Sequence, residues 1–140
     1  MNVHFSSDKH EWRTPPDLFW PLAHKYKFTV DAAASHLNHL LPHYWTIEDD
    51  ALRQDWSGER VWCNPPYGRE QKKFIIKAAS READLTMLLI PARTDTVVWH
   101  DYIFNNADDV QFLRGRLKFS NALNSAPFPS ALILYLKDEL

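Results

Sequence analysis

The sequence predicts a single α/β domain whose mixed sheet has a parallel core and ends in an antiparallel hairpin. Two observations carry that expectation. Residues 60–63, β-branched and aromatic, are followed by a helical face of Phe74, Ile75, Ala78 and Ala79 and then by a continuous apolar run over 85–90. Strand, helix, buried strand is the unit of a parallel sheet. Second, strand-like runs at 110–113 and 116–119 flank Gly115, and a last apolar strand spans 131–136. A length of 140 residues, 45% hydrophobic and 24% charged, leaves room for one core and no second module. The expected division is a polar lead-in over 1–10 and one compact domain over 11–140.

The elements follow in order. Thr14 before Pro15-Pro16-Asp17 reads as an N-cap and first turn, and Leu18, Phe19, Leu22, Ala23 and Tyr26 then recur at helical spacing, with a kink expected at Pro21. Residues 28–31 form a brief strand ending on the carboxylate of Asp31. The alanines Ala32, Ala33 and Ala34 lead into a His-dotted segment that reaches Tyr44, and 45–58 is acidic and irregular. The strand at 60–63 runs into Asn64-Pro65-Pro66-Tyr67-Gly68, where two prolines must stop it. A helix is expected from Arg69 to about residue 83, and another over 94–106.

Composition excludes several functions. A formal charge of −2 rules out binding nucleic acid by bulk positive charge, though not through a local basic patch. The three glycines, Gly58, Gly68 and Gly115, are too far apart for a Gly-rich phosphate loop. Cys63 is the only cysteine, so no internal disulfide forms, and a buried inert thiol beside the diproline is expected rather than a nucleophile. No apolar run approaches the roughly 20 residues of a membrane span, and the first residues lack the order of a signal peptide. A cytoplasmic protein is expected, with the C-terminal Lys137-Asp138-Glu139-Leu140 read as a coincidental match to a retention signal. His36, His39 and His43 share a helical face but lack a companion cysteine pair, so no metal is expected.

The Asn64-Pro65-Pro66-Tyr67 loop carries the strongest chemistry. Two prolines stiffen the backbone so that a carboxamide, a carbonyl and an aromatic ring converge on one small volume. The Asn64 side-chain oxygen and the Pro65 carbonyl can each accept an N–H from a planar amine, and Tyr67 can offer a stacking face. As a bare turn, the same residues would only end a strand.

The stretch Val61 to Gly68 around this loop, with Glu11 to Pro15, Asp31 to Ala34, Tyr44-Trp45 through Asp55-Trp56, Pro91 to Thr96, Arg116 to Phe119 and Asn124 to Ser130, resembles the phage-encoded Dam-type DNA N-6-adenine methyltransferases in order along nearly the whole chain. The resemblance implies a reduced Rossmann-like methyltransferase sheet, S-adenosylmethionine as cofactor and the N6 amine of a DNA adenine as substrate. It implies that Asn64, Pro65, Pro66 and Tyr67 form the catalytic loop. It places Thr14 and Pro15 at the carboxylate end of the cofactor, and Asp31 with Ala32 at its methionine part. Glu48, Asp49 or Asp50 would stand by its ribose, and Asp55 with Trp56 by its adenine. Three alanines stand where related enzymes carry glycines, and only 33 residues separate Asp31 from Asn64. The alanines bear on cofactor binding, while the short separation points to a pared-down sheet, with a homodimer making up the missing burial.

An adenine in a duplex must be flipped out to reach such a loop, so phosphate contacts are needed to offset the cost. Arg69, Lys72 and Lys73 after the loop, Arg93 after the next strand, and Arg114, Arg116 and Lys118 on one face of a strand are the candidate DNA contacts. Residues 125–130 could line the same site as a stiff loop. Two other functions fit the same amine-binding loop: methylation of RNA or a protein glutamine amide, or a non-catalytic nucleic-acid-binding relic.

Overall fold

The computed structural model describes residues 12–138. The expected lead-in, Glu11 and the last two residues of the C-terminal tetrapeptide lie outside the described residues. Five strands form one mixed sheet in the order β1-β2-β3-β5-β4. These are β1 (Val30–Asp31), β2 (Arg60–Cys63), β3 (Leu85–Pro91), β4 (Asp109–Phe112) and β5 (Ser130–Leu136). β1, β2 and β3 run parallel, while β5 runs antiparallel to both β3 and β4. The expected C-terminal hairpin is therefore an antiparallel pair joined by a long connection over 113–129, and β5 enters between β3 and β4.

Side chains alternate across the sheet with the period of two that a strand imposes. Val61, Cys63, Leu88, Ile90, Ala131, Ile133 and Tyr135 face one core, which Phe74, Ile75 and Ala78 of helix α2 (Arg69–Ala79) cover. Trp62, Leu85, Met87, Leu89, Leu132 and Leu134 face the other. Phe19 of helix α1 (Pro16–Tyr26) closes that side, edge-on to Trp62 at 5.2 Å. Every residue of β3 is buried, as expected of a central strand with both faces covered.

Pro15 caps α1 in an extended conformation and Pro16 takes the first turn, where its missing N–H costs nothing. No side chain caps the helix, so Thr14 does not play the N-cap part its position suggests. α2 starts from Gly68 at φ 98°, a left-handed value that favours glycine, and stops at Ala79, short of the residue 83 expected.

Two other expectations change. Residues 116–119 form no strand. Phe119 is instead buried against Trp12 at 5.3 Å, and the Ala126 N–H bonds the Leu117 carbonyl, so aromatic packing holds this segment. Within 94–106 the regular part is a π-helical turn over Trp99–Ile103.

Between β1 and β2 the chain makes no helix or strand beyond one 3-10 turn at Ala51–Arg53 and isolated bridges. Residues 43–45 lie along the outer edge of β1, where Asp31 N–H bonds the His43 carbonyl at 3.1 Å and Trp45 N–H the Asp31 carbonyl at 3.0 Å. No helix of the described residues is long and apolar enough to cross a membrane.

Candidate active site

β1 and β2 are parallel neighbours, with Asp31 opposite Trp62, so their carboxyl ends open on the same side. A cavity of about 670 Å³ lies there, within the range of small-molecule sites. Asp31, Ala32, Asn64, Pro65 and Pro66 line it together, joined by Thr14 from ahead of α1 and by Glu48 and Asp50 from the irregular crossover. Ala33, Ala34 and Ser35 extend the wall after β1 with small side chains, which keeps the backbone open to a ligand.

Asp31 is 4% exposed, and its carboxylate accepts the Leu40 N–H at 3.0 Å. Burial pushes its pKa up to about 6, against the opposing pull of the Leu40 and Ala33 backbone N–H groups and of His39. A buried carboxyl on a cavity wall is poised to gain from a cation.

Asn64 is held from one side. Its Nδ2 donates to the Trp12 carbonyl and, at 3.0 Å, to the Thr14 hydroxyl. Its Oδ1 is buried with no partner among the described residues. Orphaned buried acceptors are rare in folded chains. The indole N–H groups of Trp12 and Trp62, two residues on the same cavity wall, also lack partners among the described residues.

Other expected residues lie apart from the cavity. Trp56 is fully buried, donates its indole N–H to the Ala51 carbonyl at 2.9 Å and stacks on Trp45 at 6.2 Å, so its faces belong to the core. Asp55 is exposed and turns back onto the Ser57 N–H at 2.9 Å. Asp49 is occupied by the Thr46 N–H and hydroxyl at 2.8 and 3.2 Å, which leaves Glu48 and Asp50 as the acids of the wall. Pro15 is absent from the lining because it caps α1.

Tyr67 packs between Trp12 at 6.0 Å and Phe128 at 5.3 Å, half-buried and outside the cavity lining. Burial raises its phenol pKa, with Arg93 opposing. The Cys63 thiol is buried, and desolvation with the nearby Asp31 pushes its pKa up, which makes it a poor nucleophile.

Arg69, Lys72, Lys73, Arg93, Arg114, Arg116 and Lys118 are all exposed. Lys73 pairs with Glu70 at 3.0 Å. The last three cations sit on a bend and irregular chain, so they do not share one strand face. His36 and His39 engage Tyr44, the first by a hydrogen bond of 2.8 Å and the second by stacking at 3.9 Å, while His43 lies 3.4 Å from Glu59. Trp12, Trp45 and Phe74 also line the cavity, a site role the sequence did not assign them. Trp12 packs against Tyr67, Phe119 and Phe128 at 6.0, 5.3 and 5.5 Å, which places it beside the diproline loop.

Adjacent strand ends thus present a buried carboxylate and a diproline-anchored carboxamide to one cavity. The chain belongs to the DNA N-6-adenine-methyltransferase (Dam) family, whose model matches residues 3–132. It is similar to the DNA N-6-adenine-methyltransferase of Escherichia phage T1, 31% identical over 110 residues, a stretch covering 76% of this chain and 45% of that protein. It is also similar to "Putative methyltransferase YfdM" of Escherichia coli (strain K12), 37% identical over 65 residues, covering 41% of this chain and 70% of that protein. The chain thus spans under half the length of the phage T1 protein.

Proposed function

We propose that this chain methylates the N6 amine of adenine in DNA with S-adenosylmethionine as donor, on a reduced Rossmann-like methyltransferase sheet. The observation that carries the reading is one cavity lined by Asn64 and Pro65 at the end of β2 and by Asp31 at the end of β1. Ligands of open parallel sheets gather at the carboxyl ends of the strands. The short crossover over 32–59, with residues 43–45 along β1, supports a sheet reduced on that side.

The donor set fits the cofactor. Asp31 would face its ammonium, the backbone at Ala32 would approach it closely, and Glu48 and Asp50 would accept from ribose hydroxyls. When bound, this cofactor supplies a methyl carbon made electrophilic by a sulfonium. Asn64 Oδ1 and the Pro65 carbonyl would each accept one N–H of the target amine, drawing the nitrogen lone pair out of ring conjugation. Pro66 stiffens the loop, and the open part of the Tyr67 ring would take the stacked base. Alignment alone contributes up to about 7–11 kcal/mol to such a reaction.

DNA is the partner in this reading, with Arg69, Lys72, Lys73, Arg93, Arg114, Arg116 and Lys118 available to its phosphates. A homodimer that adds burial to the short sheet belongs to the same reading and would be seen by sedimentation. The test is incubation with isotope-labelled S-adenosylmethionine and adenine-containing DNA, expected to place the label on N6. Donor binding by calorimetry with no label on DNA would overturn the reading, as would label found instead on RNA or a glutamine peptide.

A further inference from the structure

Thr14 stands directly ahead of a helix start and has the chemistry of an N-cap, yet α1 is capped by Pro15 with no side-chain bond. Its hydroxyl is turned the other way, 6% exposed as a residue, to accept from Asn64 Nδ2 at 3.0 Å. The second Nδ2 proton goes to the Trp12 carbonyl. A primary amide has two N–H donors, so both are spent and the oxygen is left as its acceptor. Turning the amide over would set that oxygen against the Trp12 carbonyl oxygen and forfeit that bond, while the Thr14 hydroxyl can pair with either end of the amide, so the carbonyl sets the orientation and the hydroxyl holds it in place. The 12–14 segment is itself fixed from behind. Ser120 N–H bonds the Arg13 carbonyl at 2.9 Å, and Arg13 N–H bonds Asn121 Oδ1 at 3.0 Å.

We propose that Thr14 is a positioning residue that holds the Asn64 carboxamide in the orientation set by the Trp12 carbonyl, with its oxygen rather than its amino group toward the substrate. This rests on Asn64 being the acceptor for the target amine. It assigns Thr14 to the catalytic corner rather than to the carboxylate end of the cofactor.

The experiment compares wild type, Thr14→Val and Thr14→Ser, each as the whole chain. Hydrogen exchange of the Asn64 side-chain amide is followed by NMR on nitrogen-15-labelled protein without ligand, S-adenosylmethionine affinity by calorimetry, and methyl transfer by single-turnover labelling. In Thr14→Val the Asn64 amide protons should exchange faster and the single-turnover rate should fall roughly 3- to 10-fold, as expected for one lost hydrogen bond. Donor affinity should stay within about twofold, and Thr14→Ser should restore both amide protection and rate. Thr14→Ala gives the same comparison if Val is too crowded to fold. Weakened donor binding with unchanged amide exchange would overturn the proposal in favour of a cofactor contact, and so would unchanged exchange and rate. Protected amide protons in a wild type that binds donor but methylates no adenine would sink the methyltransferase reading and leave the Thr14 contact standing.

Discussion

The parallel half of the sheet and its antiparallel half solve different positioning problems. At the ends of β1 and β2, Asp31 and Asn64 enter one cavity with each side chain pinned by backbone groups, the Leu40 N–H for one and the Trp12 carbonyl for the other. Beside β4 and β5, the connection over 113–129 carries Arg114, Arg116 and Lys118 exposed on non-strand chain, anchored through the packing of Phe119 and Phe128. A transferred methyl demands placement within tenths of an ångström, whereas a polyanion is attracted across several ångströms and tolerates loose geometry. In the proposed function, the corner at β1 and β2 carries the chemistry and the 113–129 connection meets the phosphate backbone.

The sharpest break in that contrast is Asn64→Ala. Methyl transfer should drop about 100- to 1000-fold, the scale of losing a preorganised contact to the reacting group, with donor affinity by calorimetry within about twofold of wild type. A wild-type rate would remove the rigid corner from the chemistry.

Asp31→Asn comes next. The folded pKa of about 6 lies above the ordinary 3.8, so the carboxyl's contribution to stability is complete below 3.8 and lost as pH rises through about 6. That swing amounts to about 3 kcal/mol. Denaturant titrations at about pH 5 and about pH 8 should show wild type losing stability toward the higher pH and the variant losing less. Binding of a cationic donor should weaken in wild type below about pH 6 and become pH-independent in the variant; a flat wild-type profile would separate Asp31 from the ligand.

Arg81→Ala probes the frame of the antiparallel half. Arg81 follows α2 at φ 60° and binds Asp108 and the carbonyls of Asn106 and Leu136. Its loss should cost about 1–3 kcal/mol and lower the melting temperature by several degrees while leaving methyl transfer per folded molecule unchanged. The smallest effect is expected at Arg116→Ala, a modest loss of DNA affinity with the log–log salt slope reduced by about 0.9. An unchanged slope with Arg114, Arg116 and Lys118 all replaced by alanine would take this loop off the phosphates.

The parts of this architecture legible in the sequence are those where local rules agree. The strand at 60–63 ends where two prolines forbid more, and the 85–90 run continues by one residue to Pro91 because its apolar face is covered on both sides. The 116–119 segment misled because alternating cations and apolar residues describe a strand and an aromatic-anchored loop equally well. At the site, Asp31 and Asn64 were readable from their places at strand ends. The shift of Trp56 into the core was not, since one tryptophan stacks on a ligand or on Trp45 by the same surface. The Asn64–Thr14 bond joins residues 50 apart in sequence, which no local pattern encodes.

The strand order also bears on how the chain is made. β5 follows β4 in the sequence yet lies between β3 and β4, matched residue for residue to β3 from Leu85 to Pro91. A nascent polypeptide halted before Ser130 therefore presents one edge of β3 bare to solvent, and β4 has no neighbour to join. An unpaired strand edge is a template for pairing with other chains, so residues 130–136 protect both β3 and β4 from that fate once they are in place.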